Sequence, residues 1–477
     1  MLRKNNFLVS FFKVMILVIR SIYNNFKRGF SIVVKRKKIV KMHRRLFLVG
    51  IIIFLILGGV SFWCLENKQN NHVQKEKTQE NLILEIMKKV NDPDVDEDFL
   101  QWIEKEYKHE VIVKLSKYLK NNNYDKKVWH KFTNNSLLVL QDLYNDRYSD
   151  AKDVRQINVD GSDITLSFVG DVSLADNWYI MPEYDRRGKK VYGILSEEIV
   201  QIMNKSDVMV ANSEFTVSDR GKKMAGKYYT FRASPKRLSI YSEMGVDLVT
   251  LANNHVYDFG KDAFYDMLDA FLEYNIPYVG AGRNIEEARR PYYFVVGGYK
   301  IAFVNATRAE KFILTPEATI SEGGVFRCYD PSEFALQIKE AHRQSDYVVA
   351  LVHWGQEDSH ELEDVQRDTG KVYIDAGADV IVGTHAHTLQ GIEYYKNKPI
   401  IYNLGDFIFN NETKDTGIFQ IKISRDGDVS YYFLPCLEDR EYTYLLNGSD
   451  AFRVISDINS WSINAKIDED GKISGGA

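Results

Sequence analysis

Ten histidines occur in 477 residues, and two of them, His385 and His387, stand one residue apart at the end of the apolar run VIVGTHAHTLQ, residues 380–390. In an extended strand residues i and i+2 point to the same side, so this spacing predicts two imidazoles aimed at one point. Such a pair is part of a metal site if further donors meet it. Other apolar runs end in the same way: LSFVGD at Asp171, VMVANSE at Asn212 and Glu214, LVTLANNH at Asn253, Asn254 and His255, and YVVALVHWG at His353. Carboxylate, amide and imidazole together suit borderline divalent ions such as Zn²⁺, Mn²⁺ or Fe²⁺. No cysteine accompanies them, which argues against a closed structural zinc site and for an open catalytic one.

For these tips to meet, the runs must be neighbouring strands of an α/β sheet whose carboxyl ends share one rim, where such sheets bind ligands. The pattern between them agrees. DITLSFVGD alternates Ile164, Leu166 and Phe168 on one face, and from there strands alternate with amphipathic helices to about residue 390. The helices expected are VYGILSEEIVQIMNKSD, KDAFYDMLDAFLEYN and SEFALQIKEAHRQSD; strands without helices follow, and residues 446–477 read as a strand or two and a loose end.

The ordered motifs GD, NSE, ANNHVYDFG, HWG, GTHAH and YNLGDFIF resemble those of the CapA-type capsule (poly-γ-glutamate) biosynthesis proteins, within the calcineurin-like metallophosphoesterase superfamily. The resemblance spans residues 163 to 440. It implies an α/β fold, a four-layered αββα sandwich with a two-metal centre at the strand ends. Carried over, it implies Asp171 and Glu214 as carboxylate ligands near or between the metals, Asn254, His353 and His385 on one metal, and His387 on the other. His255 becomes the general acid or the clamp on a transferred phosphoryl group, with Asp258 to orient it. The cofactor expected is one or two divalent ions, Mn, Fe or Zn. The chain departs from the superfamily pattern at several places. Ser173 stands where a histidine follows the first aspartate, Glu214 where an aspartate is usual, and Val256 where an acid follows the motif histidine. Thr384 replaces a further histidine and Asp406 an asparagine.

Outside this region the chain divides further. Residues 1–45 carry thirteen Lys or Arg and no acid, against a net charge of −4 for the whole. LFLVGIIIFLILGGVSFWCL, Leu46 to Leu65, is twenty residues without a charge, the length of one membrane crossing. The basic flank predicts a single-pass anchor with the N-terminus cytoplasmic and all that follows extracellular; Met42 offers an alternative start. The expected order is a basic cytoplasmic segment (1–45), a transmembrane helix (46–65), a linker (66–79), a helical membrane-proximal module (80–160), the CapA-like domain (161–445) and a C-terminal tail (446–477).

Trp354, Phe407 and Phe409 read as packing residues; Glu357 and His360, just beyond HWG, read as parts of a solvated loop, with lining of the cleft as the alternative. The basic stretch RGKKMAGKYYTFR, Arg220 to Arg232, also reads as a solvated loop, one able to attract an anionic polymer or phosphate. Two lone cysteines, Cys328 and Cys436, read as small buried residues. With 49 basic against 66 acidic residues after position 45, the chain lacks the basic balance expected of a nucleic-acid binder. The expected partners are the membrane, an anionic cell-surface polymer or phosphate-containing intermediate, and subunits of a capsule-polymer synthase. The function expected is metal-dependent hydrolysis of phosphate esters or anhydrides in exopolymer synthesis. The alternatives are a non-catalytic synthase subunit that binds the emerging polymer, and hydrolysis of an amide bond by the same chemistry.

Overall fold

The computed structural model describes residues 49–50, 58–69, 81–148, 151–159, 163–310 and 314–476. The basic segment 1–45 and half of the apolar run 46–65 lie outside the described residues. Among the described residues no helix is long and apolar enough to cross a membrane. The chain divides into two compact units, Met1–Leu82 and Ile83–Ala477.

Two mixed sheets form the larger unit. We label the strands that matter to the site β1 (Ile164–Val172), β2 (Val208–Ser213), β3 (Leu248–Thr250), β4 (Tyr299–Thr307), β5 (Tyr347–Trp354), β6 (Val380–His385), β7 (Asp406–Ile408), β8 (Thr413–Ile423) and β9 (Val429–Asp439). The ten-stranded sheet contains the run β9-β8-β1-β2-β3, with β7 paired to β1; the seven-stranded sheet contains β4-β5-β6. β1, β2 and β3 run parallel, as do β4, β5 and β6.

The central strands are buried on both faces, which is why they read as continuous apolar runs. One face of each sheet meets the other sheet. Leu166 and Phe168 of β1 and Val210 of β2 join Phe303 of β4, Val349 and Leu351 of β5 and Val382 of β6 in one core. The alternate residues face outward onto helices. Met209 and Ala211 pack with Ile199 and Met203 of the helix Glu197–Lys205 and with Phe264 and Met267 of Gly260–Glu273. On the other side Val348, Ala350 and Ile381 pack with Phe334 and Ile338 of Pro331–Gln344 and with Tyr373 of Asp364–Ala376. Helix, sheet, sheet, helix is the resulting order.

The helices Glu97–Tyr107, His109–Asn121, Lys127–Thr133 and Leu137–Tyr144 lie within the expected helical module. They are tied to the seven-stranded sheet: Lys300 Nζ lies 2.7 Å from Asp142 Oδ2, and Ser136 Oγ donates to Asp346 Oδ2 at 2.6 Å. The end of the chain holds the two strands expected, Ala465–Ile467 and Lys472–Gly475, but a helix precedes them. Gly448–Trp461 is a helix that buries Val454, Ile455 and Ile458 in the core between the sheets, and a hairpin follows it, antiparallel to β9. The apolar spacing of one and three is helical, and its short groups only resemble strand alternation. Cys328 and Cys436 are both buried and unpaired.

Candidate metal centre

The polar strand tips gather at one end of the sandwich, but not as a single rim. Asp171, Glu214 and Asn254 come from the sheet of β1, β2 and β3, whereas His353 and His385 come from that of β5 and β6. Two sheet edges therefore face each other across the site. Asn212 Nδ2 spans them, 2.7 Å from Asp171 Oδ1 and 3.3 Å from His353 Nδ1, and the His385 backbone N–H donates to Asp171 Oδ2 at 3.1 Å.

Glu214 Oε1 lies at the focus. His353 Nε2 is 3.5 Å from it, His387 Nε2 3.9 Å and His255 Nε2 4.0 Å. Ligand atoms of Glu214, His353 and His385 lie within 4.8 Å of one another, and so do those of Asp171, His387 and Asp406. Asn254 joins the first group, its Oδ1 2.8 Å from His353 Nε2. Within the same limit a third set joins His385 and His387 to Glu357, an exposed residue read above as part of a solvated loop.

Whether these residues suit a cation is answered by what they lack. Glu214 Oε1 and His385 Nδ1 are buried without a hydrogen-bond partner. A buried polar atom left unpaired costs about 1–3 kcal/mol. A divalent ion that accepts both as ligands removes that cost, so the donor set fits a metal.

Carboxylates hold two of the rings from behind. Asp258 Oδ2 is 2.8 Å from His255 Nδ1, and Asp406 Oδ1 is 2.7 Å from His387 Nδ1, leaving each Nε2 turned toward Glu214. The alternation expected to aim His385 and His387 together does not operate. β6 ends at His385, whose φ is +97°, and His387 has φ +55°. Their rings approach to 6.1 Å because the backbone turns at both residues, conformations that non-glycine residues adopt at a cost of about 1–3 kcal/mol.

Residues 165–411 match the model of the family described as bacterial capsule synthesis protein PGA_cap. The chain belongs to that family. The "PGA biosynthesis protein CapA" of Bacillus subtilis is 29% identical over 320 residues, covering 65% of this chain and 82% of that one. The capsule biosynthesis protein CapA of Bacillus anthracis is 30% identical over 282 residues, 57% of this chain and 67% of that one. A Mycobacterium tuberculosis protein named "probable polyglutamine synthesis accessory protein" is 29% identical over 216 residues, 43% of this chain and 57% of that one. Every residue from Asp171 to Asp406 described above falls inside the PGA_cap match.

Within this PGA_cap site, the sequence reading did not assign Asp406 or Lys227 a role. Asp406 was visible only as a departure from asparagine. Lys227 lay hidden in the basic stretch 220–232, yet its ammonium is buried 2.8 Å from Asp258 Oδ1. Ser173, at the position of the missing histidine, is buried with its hydroxyl unpartnered. Trp354, Phe407 and Phe409 are buried, and His360 stacks on Trp461, 4.1 Å between ring centroids, with its Nδ1 2.7 Å from the Leu389 carbonyl oxygen.

The charges are strongly coupled. Burial and the neighbouring Asp171 push the Glu214 carboxyl well above its ordinary range. Burial works against the His387 imidazolium, but the charges of Asp406 and Glu214 hold its pKa well above normal. Burial and the other histidines drive His353 well below normal and His385 down to about 3. Both shifts favour the protonated forms of Glu214 and His387, and a cation competes with those protons for the same atoms. Metal affinity is expected to rise with pH, with proton release on binding. Calorimetric titration in two buffers of different ionisation enthalpy measures the protons released; uptake of protons, or affinity falling with pH, contradicts the assignment.

Proposed function

We propose that this PGA_cap protein is a metal-dependent hydrolase of phosphate esters or anhydrides that acts in the synthesis of a cell-surface polymer. The observation that carries this is the meeting of Glu214, His353 and His385 with two of their buried ligand atoms unpartnered. Glu214, Asn254, His353 and His385 would hold one divalent ion, and Asp171 and His387, with Asp406 beside them, a second. When bound, such ions supply a polarised water and positive charge against the phosphoryl oxygens.

The chain's own residues do the rest. His255 reaches the site through Nε2 while Asp258 holds Nδ1. As the water oxygen bonds to phosphorus and the ester P–O bond breaks, His255 Nε2 gives a proton to the leaving oxygen. The water's surplus proton passes to solvent, which restores the imidazolium. Burial holds the His255 pKa below normal against the pull of Asp258; the anionic substrate adjoining Nε2 favours the proton there. The αββα layering and this donor set support the metallophosphoesterase reading. The apolar run 46–65 and its basic flank support a single-pass anchor with the hydrolase outside the cell.

A second reading has two observations in its favour. Serine at position 173 leaves the second cation one imidazole short, with His387 as its single ring ligand, and one PGA_cap relative is named an accessory protein. On that reading the chain binds the emerging anionic polymer for a synthase and does no chemistry. Full-length protein loaded in turn with Mn²⁺, Fe²⁺ or Zn²⁺ and assayed on bis-p-nitrophenyl phosphate separates the two. The hydrolase reading expects cleavage that chelation stops and that Asn254→Ala or His387→Ala abolishes. Activity that survives both substitutions removes it.

A further inference from the structure

The stretch Arg220–Arg232 is not uniformly solvated. Lys222 and Lys223 are exposed, whereas the Lys227 side chain is 7% exposed and points into the site. Its Nζ lies 2.8 Å from Asp258 Oδ1 and 3.0 Å from Glu310 Oε1, and it donates to the backbone carbonyl of Asn254. Asp258 spends its other oxygen, Oδ2, on His255 Nδ1 at 2.8 Å and on the Phe231 N–H at 2.8 Å. Glu310 in turn faces Arg327, 3.4 Å away.

We propose that Lys227 is a positioning residue of the hydrolytic site, holding Asp258 so that His255 presents Nε2 and holding the Asn254 backbone so that its amide stays among the metal donors. The inference rests on the hydrolase reading above. A carboxylate bonded to an imidazole through one oxygen can still rotate; the ammonium charge 2.8 Å from the other oxygen, an ion pair and not a hydrogen bond, favours the orientation that holds the ring. Lys227 also supplies positive charge between two buried carboxylates. Without it, the buried Asp258 carboxylate loses its charge partner and admits water, which loosens its hold on His255. Three segments distant in sequence, at 227, 254–258 and 310, are joined by this one side chain.

Leaving-group dependence tests it. General-acid help matters most when the leaving oxygen is strongly basic. In the full chain, Lys227→Met is expected to lower kcat for a methyl ester of phenyl phosphate by about a hundredfold and for a p-nitrophenyl ester by less than about tenfold, with KM changed little. Lys227→Arg recovers part of the loss. Glu310→Gln removes a charge from the same cluster but leaves Lys227 on Asp258, and is expected to keep the wild-type leaving-group dependence. An equal loss on all esters, or an unchanged kcat, overturns the proposal. If the wild-type protein cleaves no phosphate ester with any metal, the hydrolase reading falls, and Lys227 is judged by ¹⁵N spectra of the histidines. The His255 signals, identified by their absence in His255→Asn, should report a proton on Nδ1 in the wild type and a tautomer mixture in Lys227→Met. Identical His255 signals in both overturn the positioning role.

Discussion

Replacing His353 with alanine is expected to strip the bound cation and lower kcat/KM by about a thousandfold or more, because it removes a donor common to several contacts at the focus. His353 Nε2 lies 2.8 Å from Asn254 Oδ1 and 3.5 Å from Glu214 Oε1. Its Nδ1 is held by Thr384 Oγ1 at 2.9 Å and Asn212 Nδ2 at 3.3 Å, so the ring already stands where a ligand is needed. Elemental analysis after dialysis reads the metal, and hydrolysis of bis-p-nitrophenyl phosphate reads the rate. Thr384→Val serves as the graded companion: it keeps the imidazole but loosens it, and metal affinity should fall about 10–100-fold. A His353→Ala protein that keeps both its metal and its rate would refute the assignment of the first cation.

Gly170→Ala should destabilise the fold by about 3 kcal/mol or more and disable the site with it. A Cβ at Gly170 would sit 1.9 Å from the carbonyl oxygen of Gly405. That carbonyl accepts the Asp171 N–H at 2.9 Å, and β7 begins at once with Asp406, paired to Asp171. The opposing atom is backbone, so no side chain can rotate out of the way. The strand must separate from its neighbour, taking Asp171 and Asp406 apart. Urea titration measures the stability, and a midpoint matching the wild type would show that the two backbones can part without cost. Because this glycine has no need of a positive φ, close approach is what demands it.

Much of this was legible before any coordinates. Apolar runs of strand length marked the strands of both sheets, and the stripe Phe264, Met267 and Phe271 marked a helix that the structure contains. The ordered tips at 171, 212–214, 253–255, 353 and 385–387 pointed to a shared centre and to the capsule synthesis family. Other residues left no such trace. Lys227 looked like any lysine in a basic loop, and Glu357 in its exposed loop looks the same whether or not His385 is near. The C-terminal helix had its stripe at Val454, Ile455 and Ile458, but short apolar groups of that length fit either period.

Local pattern by itself determined which residues become strands and where each strand delivers its polar end, since side-chain periodicity is a property of the backbone. Only the tertiary structure decided that these ends belong to two opposed sheets, that His385 and His387 converge through turned backbone, and that Lys227 and Asp406 brace the rings of other segments. Those choices depend on contacts between residues far apart along the chain. Such contacts arise when burial of both sheet faces brings their edges together, and no local repeat encodes which partner a buried charge will find.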